Sequence, residues 1–284
     1  MTVQSLDQTS LSPFLKWAGG KRALLSEILP RLLPISGRYF EPFLGAGAVL
    51  LSMPSDVERL ASDVNVELIE TYEVIRDNPE LLIQHLSEFQ NSKDSFLEIR
   101  SWDRRPDFRE LPKEMRAARF IFLNKTCFNG LHRVNSKGQF NVPFGNYANP
   151  KIYDPAHLKQ LSSSFKTNFY LSSSGYLDLT SKVESGDTVY FDPPYDPLSP
   201  TSSFVGYNEA SFNREDQVKL RDEATRLIRL GAKVLLSNAD TPFIRSIYGD
   251  ENVFKVEQVS VNRAISANAS SRKVVSEVLI SNAG

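Results

Sequence analysis

The sequence predicts an α/β fold in which a sheet is interrupted by a mainly helical insertion. Short apolar runs alternate with longer segments whose apolar residues recur at helical spacing, as in sheets whose strands are joined by helices. Between about residues 75 and 154, helical and loop patterns replace the strand-like runs. We therefore expect one domain built from residues 1–74 and 155–284, and a second domain inserted over residues 75–154.

Composition places the 284-residue chain among ordinary globular proteins, with 41% hydrophobic and 24% charged residues. It contains no run of about 18 apolar residues, and its polar N-terminus lacks the pattern of a secretion signal. The single cysteine, Cys127, excludes internal disulfides, and three scattered histidines provide no metal-ligand cluster. These features predict a cytoplasmic protein that holds no metal and spans no membrane.

Charge is distributed unevenly along the chain. The net charge of −1 argues mildly against a nucleic-acid partner. No acidic residue, however, lies between Glu114 and Asp154, and none lies from Gln258 to Ser276. The basic residues of these two stretches are Arg116, Arg119, Lys125, Arg133, Lys137 and Lys151, and then Arg263, Arg272 and Lys273. The pattern is compatible with a positive face for a polyanion, and equally with an ordinary solvated surface.

The N-terminal part begins with a glycine turn and a short helix. Gly19-Gly20 permits a tight turn between Trp17 and Lys21, and residues 22–33 follow with helical spacing until the prolines at 30 and 34 end the helix. The turn indicates either a ligand pocket lined by Trp17 and Lys21 or a capped turn with Trp17 in the core.

A second glycine turn connects a predicted strand to a predicted helix, an arrangement that can bind a ligand. Residues 39–43 are strand-like, the turn follows, and a helix is predicted from Ala48 onward. Gly45 and Gly47 let the backbone approach a ligand, as in a Rossmann-like sheet. The third glycine of the dinucleotide fingerprint is missing, which argues against a nicotinamide dehydrogenase.

An acidic residue ends the next predicted strand. Asp63 closes the run from Leu60 and lies 18 residues after Gly45, close to the separation at which such sheets bind ribose hydroxyls. A surface aspartate at a strand end is the alternative. Together with the short glycine turn, Asp63 indicates a nucleoside ligand with a small anionic end, a description that S-adenosylmethionine meets.

Residues 66–90 and 113–124 are predicted to be helical, and residues 91–112 are predicted to be irregular. His85, on an apolar helix face, is predicted to be packed rather than catalytic. Residues 127–147 combine Asn, Gly, aromatic and Arg residues in a predicted hairpin with loops. Such a mixture suits contacts with base edges and insertion between stacked bases.

After Asp154 the sheet is predicted to resume. Strands are expected over residues 169–171, 188–192 and 233–237, and a closing hairpin over residues 254–261 and 274–280. A loop over residues 200–208 leads to a helix over residues 214–230, which Asn213 should cap and Gly231 should end.

The strand that precedes this loop ends in Asp192-Pro193-Pro194-Tyr195. Its prolines donate no backbone N–H and restrict φ, so the turn is stiff and its carbonyls remain available. A carboxylate, a carbonyl and an aromatic ring then lie close together, as the exocyclic amino group of a nucleobase requires. A plain strand exit with a half-buried tyrosine is the alternative.

Five segments together carry a family resemblance: Phe14–Lys21, Glu41–Gly47, Asn129–Arg133, Phe140–Gly145 and Asp192–Tyr195. They resemble the motifs of the Dam-like DNA adenine-N6 methyltransferases of the D12 class, in which the glycine turn precedes a recognition segment and the Asp-Pro-Pro-Tyr turn follows it. The resemblance runs from Pro13 to about Val278, nearly the whole chain.

The resemblance implies a Rossmann-like, S-adenosylmethionine-dependent enzyme that methylates adenine N6 in duplex DNA, within GATC. It assigns the donor pocket to Trp17, Lys21, Phe43, Gly45, Gly47, Asp63, Tyr176 and Asp192. It assigns contacts with DNA to Lys16, Phe128, Asn129, Leu131, Arg133, Pro143 and Tyr147, with Phe128 near the gap left by a flipped base. Many relatives carry Gly-Arg-Tyr where this chain has Gly145-Asn146-Tyr147, so a DNA contact made by that arginine is missing or moved.

The residues themselves predict a direct transfer. Asp192 and the Pro193 carbonyl would accept the two N6–H groups and localise the nitrogen lone pair, while Tyr195 stacks on the flipped base. Cys127 has no adjacent proline, which disfavours a covalent cytosine-C5 mechanism. Methylation of cytosine N4, of RNA or of a protein glutamine, and a non-catalytic DNA-binding role, are the alternatives. The basic insertion favours duplex DNA, and the complete pocket motifs favour catalysis.

Overall fold

A mixed sheet organises the part of the chain that the computed structural model describes, namely residues 11–197, 212–261 and 275–283. Its strands are β1 (Tyr39–Glu41), β2 (Arg59–Ser62), β3 (Phe169–Ser172), β4 (Thr188–Phe191), β5 (Lys233–Ala239), β6 (Phe254–Val261) and β7 (Val275–Asn282). They lie in the order β3-β2-β1-β4-β5-β7-β6. Strands β1 to β5 are parallel, and β7 is antiparallel to both of its neighbours. The predicted α/β fold is confirmed.

Helices join these strands and form the insertion. Their bounds are α1 (Leu25–Leu32), α2 (Val66–Asp77), α3 (Pro79–Glu88), α4 (Lys93–Ser101), α5 (Lys113–Thr126), α6 (Pro155–Phe165), α7 (Tyr176–Thr180), α8 (Arg214–Leu230) and α9 (Pro242–Ile247). Short 3-10 segments lie at Lys21–Leu24, Leu50–Ser52, Trp102–Arg104, Phe108–Glu110 and Phe128–Gly130. No helix of these described segments is both long and apolar enough to cross a membrane.

The core lies on both faces of the sheet because successive side chains of a strand point in opposite directions. In β4, Tyr190 belongs to the apolar cluster shared with α2 and α5, whereas Val189 and Phe191 belong to the cluster shared with α8 and α9. Strand β4 is therefore buried on both sides. Its carboxyl end delivers Asp192 to the centre of the sheet edge.

Several predicted elements differ from the observed ones. The helix expected from Ala48 is only the 3-10 segment Leu50–Ser52, because Met53 is extended, as a residue before proline prefers. The helix predicted over residues 66–90 is divided into α2 and α3 at Asn78-Pro79.

Four helices were not predicted from the sequence, namely α4, α6, α7 and α9. Within the stretch predicted to be irregular, Ser92 caps α4 through its side chain, which accepts from the Ser95 N–H. After the insertion, Asp154 caps α6 in the same way and Pro155 occupies the first turn. At the N-terminus, Pro30 lies inside the last turn of α1 rather than ending the helix. The loop expected at residues 200–208 and the basic residues 263, 272 and 273 fall outside the described ranges.

Candidate active site and recognition segment

One cavity of about 1080 Å³ opens at the carboxyl ends of β1, β2 and β4. This is the edge at which open α/β sheets bind ligands. The cavity brings together every residue predicted for the donor pocket and for catalysis. These are Trp17, Lys21, Phe43, Gly45, Gly47, Asp63, Tyr176, Asp192, Pro193 and Tyr195.

The glycine turn after β1 requires its glycines. Gly45 and Gly47 have φ values of 49° and 65°, in the left-handed region that favours glycine. A Cβ on Gly45 would lie 3.0 Å from the Trp17 ring, and one on Gly47 would lie 2.7 Å from the Tyr72 hydroxyl oxygen. The Tyr72 hydroxyl in turn donates to the Gly45 carbonyl at 3.2 Å. The turn therefore holds its backbone against Trp17 at the cavity wall.

Asp63 is built into the same turn. Its carboxylate accepts from the Gly45 N–H at 3.0 Å and from the Asn65 N–H at 2.9 Å. Burial raises the pKa of Asp63, and these two hydrogen bonds oppose that rise. Since each carboxylate oxygen can accept more than one hydrogen bond, Asp63 can also accept from a diol.

Aromatic rings form the opposite wall of the cavity. Phe43, just after β1, stacks on Tyr176 at the start of α7, with ring centroids 5.5 Å apart and planes 25° apart. Phe212 meets Phe43 edge-on at 5.7 Å, and it was not predicted from the sequence. A flat ligand ring would find apolar faces here.

Asp192 follows β4 and lies close to two donors. The Lys21 Nζ is 2.7 Å from its Oδ1, and the Ser237 hydroxyl donates to the same oxygen at 3.0 Å. Burial raises the pKa of Asp192, and the positive charge of Lys21 opposes that rise. Ser237 lies on the neighbouring strand β5, so only the sheet order, and no local motif, could have indicated it.

Tyr195 is held at both ends. Its hydroxyl donates to Glu277 Oε2 at 2.8 Å, and the Lys21 ammonium lies 4.7 Å from its ring centroid. Glu277 belongs to β7 and is 2% exposed. Burial raises the pKa of Tyr195 well above its ordinary value, so the phenol stays protonated and can donate. Glu277 was not predicted, since it lies in the closing hairpin, far along the chain.

The turn itself is braced from the face that α8 covers. The Gln217 side chain donates to the Pro194 carbonyl at 2.8 Å, and Asn238 donates to the Gln217 side-chain oxygen at 3.0 Å. Asn238 also accepts from the Asp196 N–H at 3.2 Å. Neither Gln217 nor Asn238 was predicted. These amides fix the path of the chain between Asp192 and Asp196.

A further buried acid lies beneath the cavity on β1. Glu41 accepts a hydrogen bond from the Tyr39 hydroxyl at 2.6 Å. Burial raises the pKa of Glu41 to about 8, and the negative charge of Asp192 adds to the rise. Glu41 is therefore largely protonated at neutral pH, whereas Asp192 has an ammonium partner.

The predicted DNA-contacting residues meet on one surface beside the cavity. The segment 127–147 folds back on itself through the bridges Cys127–Phe144 and Val134–Phe140. Asn124 anchors Lys16 to this segment: its side chain accepts from the Lys16 N–H at 2.8 Å and donates to the Lys16 and Gly130 carbonyls. The residues so gathered are Lys16, Phe128, Asn129, Leu131, Arg133, Pro143 and Tyr147.

Within this surface, several side chains are exposed and oriented. Phe128 is 50% exposed, although it is a large apolar residue. The Tyr147 hydroxyl accepts from the Asn129 N–H at 3.0 Å, and the Lys16 ammonium lies 4.5 Å from the Tyr147 ring centroid. Arg133 is exposed and donates from Nε to the Asn141 side chain at 2.6 Å.

Two further residues of this segment are His132, which lines the cavity, and Asn146, which departs from the family pattern. His132 lines the cavity and stacks on Trp17 with centroids 5.7 Å apart. Burial lowers the pKa of His132 to about 4, so the imidazole is neutral. Asn146 has a φ of 53°, a left-handed conformation that asparagine tolerates better than most residues. The contact of Trp17 with His132 places the segment 127–147 directly against the cavity.

Comparison with known proteins agrees with this arrangement. Residues 17–262 match the profile of the D12 class N6 adenine-specific DNA methyltransferases. The chain is 40% identical to the type II methyltransferase M1.LlaDCHI of Lactococcus lactis subsp. cremoris, over 100% of both chains. It is 39% identical to the type II methyltransferase M.MjaIII of Methanocaldococcus jannaschii, over 96% of this chain and 99% of that one. It is 36% identical to the DNA adenine methylase of Escherichia coli K12, over 94% and 93% of the two chains. The chain therefore belongs to the D12 class of N6 adenine-specific DNA methyltransferases, as its motifs predicted.

Proposed function

We propose that this adenine-specific DNA methyltransferase takes its methyl group from S-adenosylmethionine and transfers it directly to a flipped adenine in duplex DNA, within GATC. The observation that carries the proposal is the contact between the cavity and the predicted DNA-contacting surface. The cavity of about 1080 Å³ that contains Asp192 lies against the segment 127–147 through the stack of Trp17 on His132. Residues 1–74 and 155–284 would form the catalytic domain, and residues 75–154 the target-recognition domain.

The cavity fits the donor on three counts. Asp63 offers carboxylate oxygens to ribose hydroxyls, and the Phe43–Tyr176 stack offers apolar ring faces to an adenine. The glycine turn gives a close backbone approach but not the full phosphate cradle of a dinucleotide site. When bound, S-adenosylmethionine supplies a sulfonium-activated methyl group.

The residues of the chain then orient the acceptor nitrogen. Adenine N6 is a weak nucleophile because its lone pair is conjugated with the ring. Asp192 accepts one N6–H and the Pro193 carbonyl accepts the other, which favours a tetrahedral nitrogen with a free lone pair. Among the described residues the Pro193 carbonyl accepts no hydrogen bond, whereas the Pro194 carbonyl is occupied by Gln217.

The partial burial of Asp192 supports base flipping. Asp192 is 21% exposed in its side chain and lies at the end of a strand buried on both faces, so a base inside a duplex is out of reach. Stacking of the extruded base on Tyr195 would offset the few kcal/mol that unstacking costs. The exposed Phe128 is placed to fill the gap left in the helix.

The GATC target rests on the motif resemblance of the recognition segment, in which Asn146 is the departure. Two relatives are named type II methyltransferases, which supports a modification role in a restriction–modification system.

The deciding experiment is transfer of labelled methyl groups to duplexes with and without GATC, followed by nucleoside analysis. We expect N6-methyladenine that depends on GATC. N4-methylcytosine would overturn the adenine assignment for this chain, and transfer independent of GATC would overturn the target.

A further inference from the structure

We propose that Lys21 reads the target base by donating a hydrogen bond to adenine N1, the ring nitrogen beside the amino group. Lys21 was expected in the donor pocket, and its ammonium lies 2.7 Å from Asp192 Oδ1 and 4.7 Å from the centroid of the Tyr195 ring. The inference rests on the proposed function, since it concerns the same flipped adenine.

The position of the Lys21 ammonium is fixed by its partners. The side chain is 5% exposed, and its Nζ lies 2.6 Å from the Gly19 carbonyl oxygen and 2.7 Å from Asp192 Oδ1. Its backbone begins the 3-10 segment Lys21–Leu24, directly after the glycine turn. An ammonium has three N–H groups, so two partners leave one donor for a ligand.

That remaining donor is close to the place where the base should stack. The Nζ is 4.7 Å from the centroid of the Tyr195 ring, whose hydroxyl is tied to Glu277 at 2.8 Å. A base that stacks on this ring with its amino group on Asp192 turns either its N1 edge or its N7 edge towards Lys21, and the proposal places N1 there.

The two side chains together form a complementary edge. Asp192 offers an acceptor and Lys21 a donor, 2.7 Å apart. Adenine presents the opposite order on its Watson–Crick edge, with the N6–H donor beside the N1 acceptor. Guanine and thymine present a carbonyl oxygen beside an N–H, which would face Asp192 and Lys21 with the wrong groups. Cytosine matches adenine in this respect, so the pair selects bases that carry an amino group.

Removal of Lys21 has two consequences that the experiment must separate. Lys21 also stabilises the charged form of Asp192, so Lys21→Met would lower the methylation rate even without a contact to N1. A base analogue isolates the contact. In 1-deazaadenine a C–H group replaces N1, while the amino group and the stacking surface are kept.

The test compares duplexes that carry adenine, 1-deazaadenine or 7-deazaadenine at the target position. Equilibrium binding is measured without the methyl donor, and single-turnover transfer is measured with it. The analogue also changes base pairing and amine basicity. The deciding quantity is therefore the penalty of the analogue in the wild type divided by its penalty in K21M. We expect this ratio to be ~10 for 1-deazaadenine, because one hydrogen bond to a charged donor is lost. For 7-deazaadenine, which keeps N1, we expect a ratio near 1.

Two further variants keep the outcome clear. K21Q retains an N–H donor and should restore part of the 1-deazaadenine penalty, even if K21M is too slow for kinetics. R22M removes an exposed neighbouring charge and should leave both penalties as in the wild type.

Equal 1-deazaadenine penalties in K21M and the wild type, in both binding and transfer, would overturn the role of Lys21. Failure of the wild type to methylate adenine in any duplex would instead overturn the proposed function.

Discussion

Asp192 accepts hydrogen bonds from Lys21 and Ser237, two residues that are distant from it in the sequence. Among the described carboxylates that line the cavity, it is the one with an ammonium group at 2.7 Å. Its environment thus favours an ionised acceptor in a partly buried place. The Asp192→Ala variant should reduce methyl transfer by ~10²–10³-fold or more, because it removes the group that we propose localises the N6 lone pair.

DNA binding by this variant should change little, since the exposed recognition surface is untouched. Rates come from single-turnover transfer and affinities from fluorescence anisotropy. Asp222→Ala, at an exposed aspartate on α8, is the matched control. Transfer by the Asp192 variant at the wild-type rate would remove Asp192 from the mechanism.

A single site residue can be predicted from the sequence when it belongs to a local pattern. Gly45, Asp63 and Asp192 each lie at the end of a strand-like run, so their meeting at one sheet edge could be anticipated. Ser237 and Glu277 could not, because neither belongs to a local pattern. Only the pairing of β5 with β4 and β7 brings them to Asp192 and Tyr195.

Among the elements, the segment 127–147 is the one to which we assign target specificity. Arg133 is exposed and held by Asn141, which orients its guanidinium without burying it. We expect it to make a bidentate contact with a guanine. Arg133→Ala should then relax discrimination at one base pair and cost ~1–3 kcal/mol there.

Binding to a set of duplexes with single base-pair changes measures this effect. Lys137→Ala, at an exposed cation of the same hairpin, serves as the control. A uniform loss of affinity on all duplexes after the Arg133 change would identify a phosphate contact instead.

Helix α8 supports the turn from Asp192 to Tyr195 through Gln217, and its N-terminus borders the cavity. Asn213 accepts from two backbone N–H groups of the first turn, and the Asp216 side chain accepts from the Asn213 N–H in return. Asn213→Ala should therefore lower the free energy of unfolding by about 0.5–2 kcal/mol.

Denaturant unfolding gives that difference directly. Asn213→Asp keeps an oxygen acceptor at the cap and should be close to the wild type. Equal free energies of unfolding for Asn213→Ala and Asn213→Asp would mean that the side-chain oxygen at the cap contributes nothing to stability. The cap and the Gly231 stop of this helix were predicted because both are local signals.

For the whole molecule, the alternation of strands and helices was enough to predict the α/β class, but not the position of each helix. The helix expected after Gly47 was wrong because Pro54 forces Met53 into an extended conformation. Helices α4 and α6 were missed since their caps, Ser92 and Asp154, lie in polar stretches that resemble loops.

The protonation of Glu41 makes the stability of the whole molecule depend on pH. Burial raises its pKa to about 8 from the ordinary 4.5, and the negative charge of Asp192 adds to that effect. A pKa that is higher in the folded state means that folding favours the protonated form. The resulting stabilisation is fully present below about pH 4.5 and is lost as the pH rises through about 8.

Glu41→Gln should remove this dependence, because the amide is neutral at every pH and can still accept from Tyr39. Between about pH 5 and 8 the free energy of unfolding of the wild type should fall relative to that of E41Q, by up to about 1.4 kcal/mol per pH unit. Urea denaturation across this range measures the difference, and E58Q, at an exposed glutamate, should run parallel to the wild type. Parallel curves for E41Q and the wild type would mean that Glu41 is ionised in the folded protein, with its charge balanced by groups around the cavity.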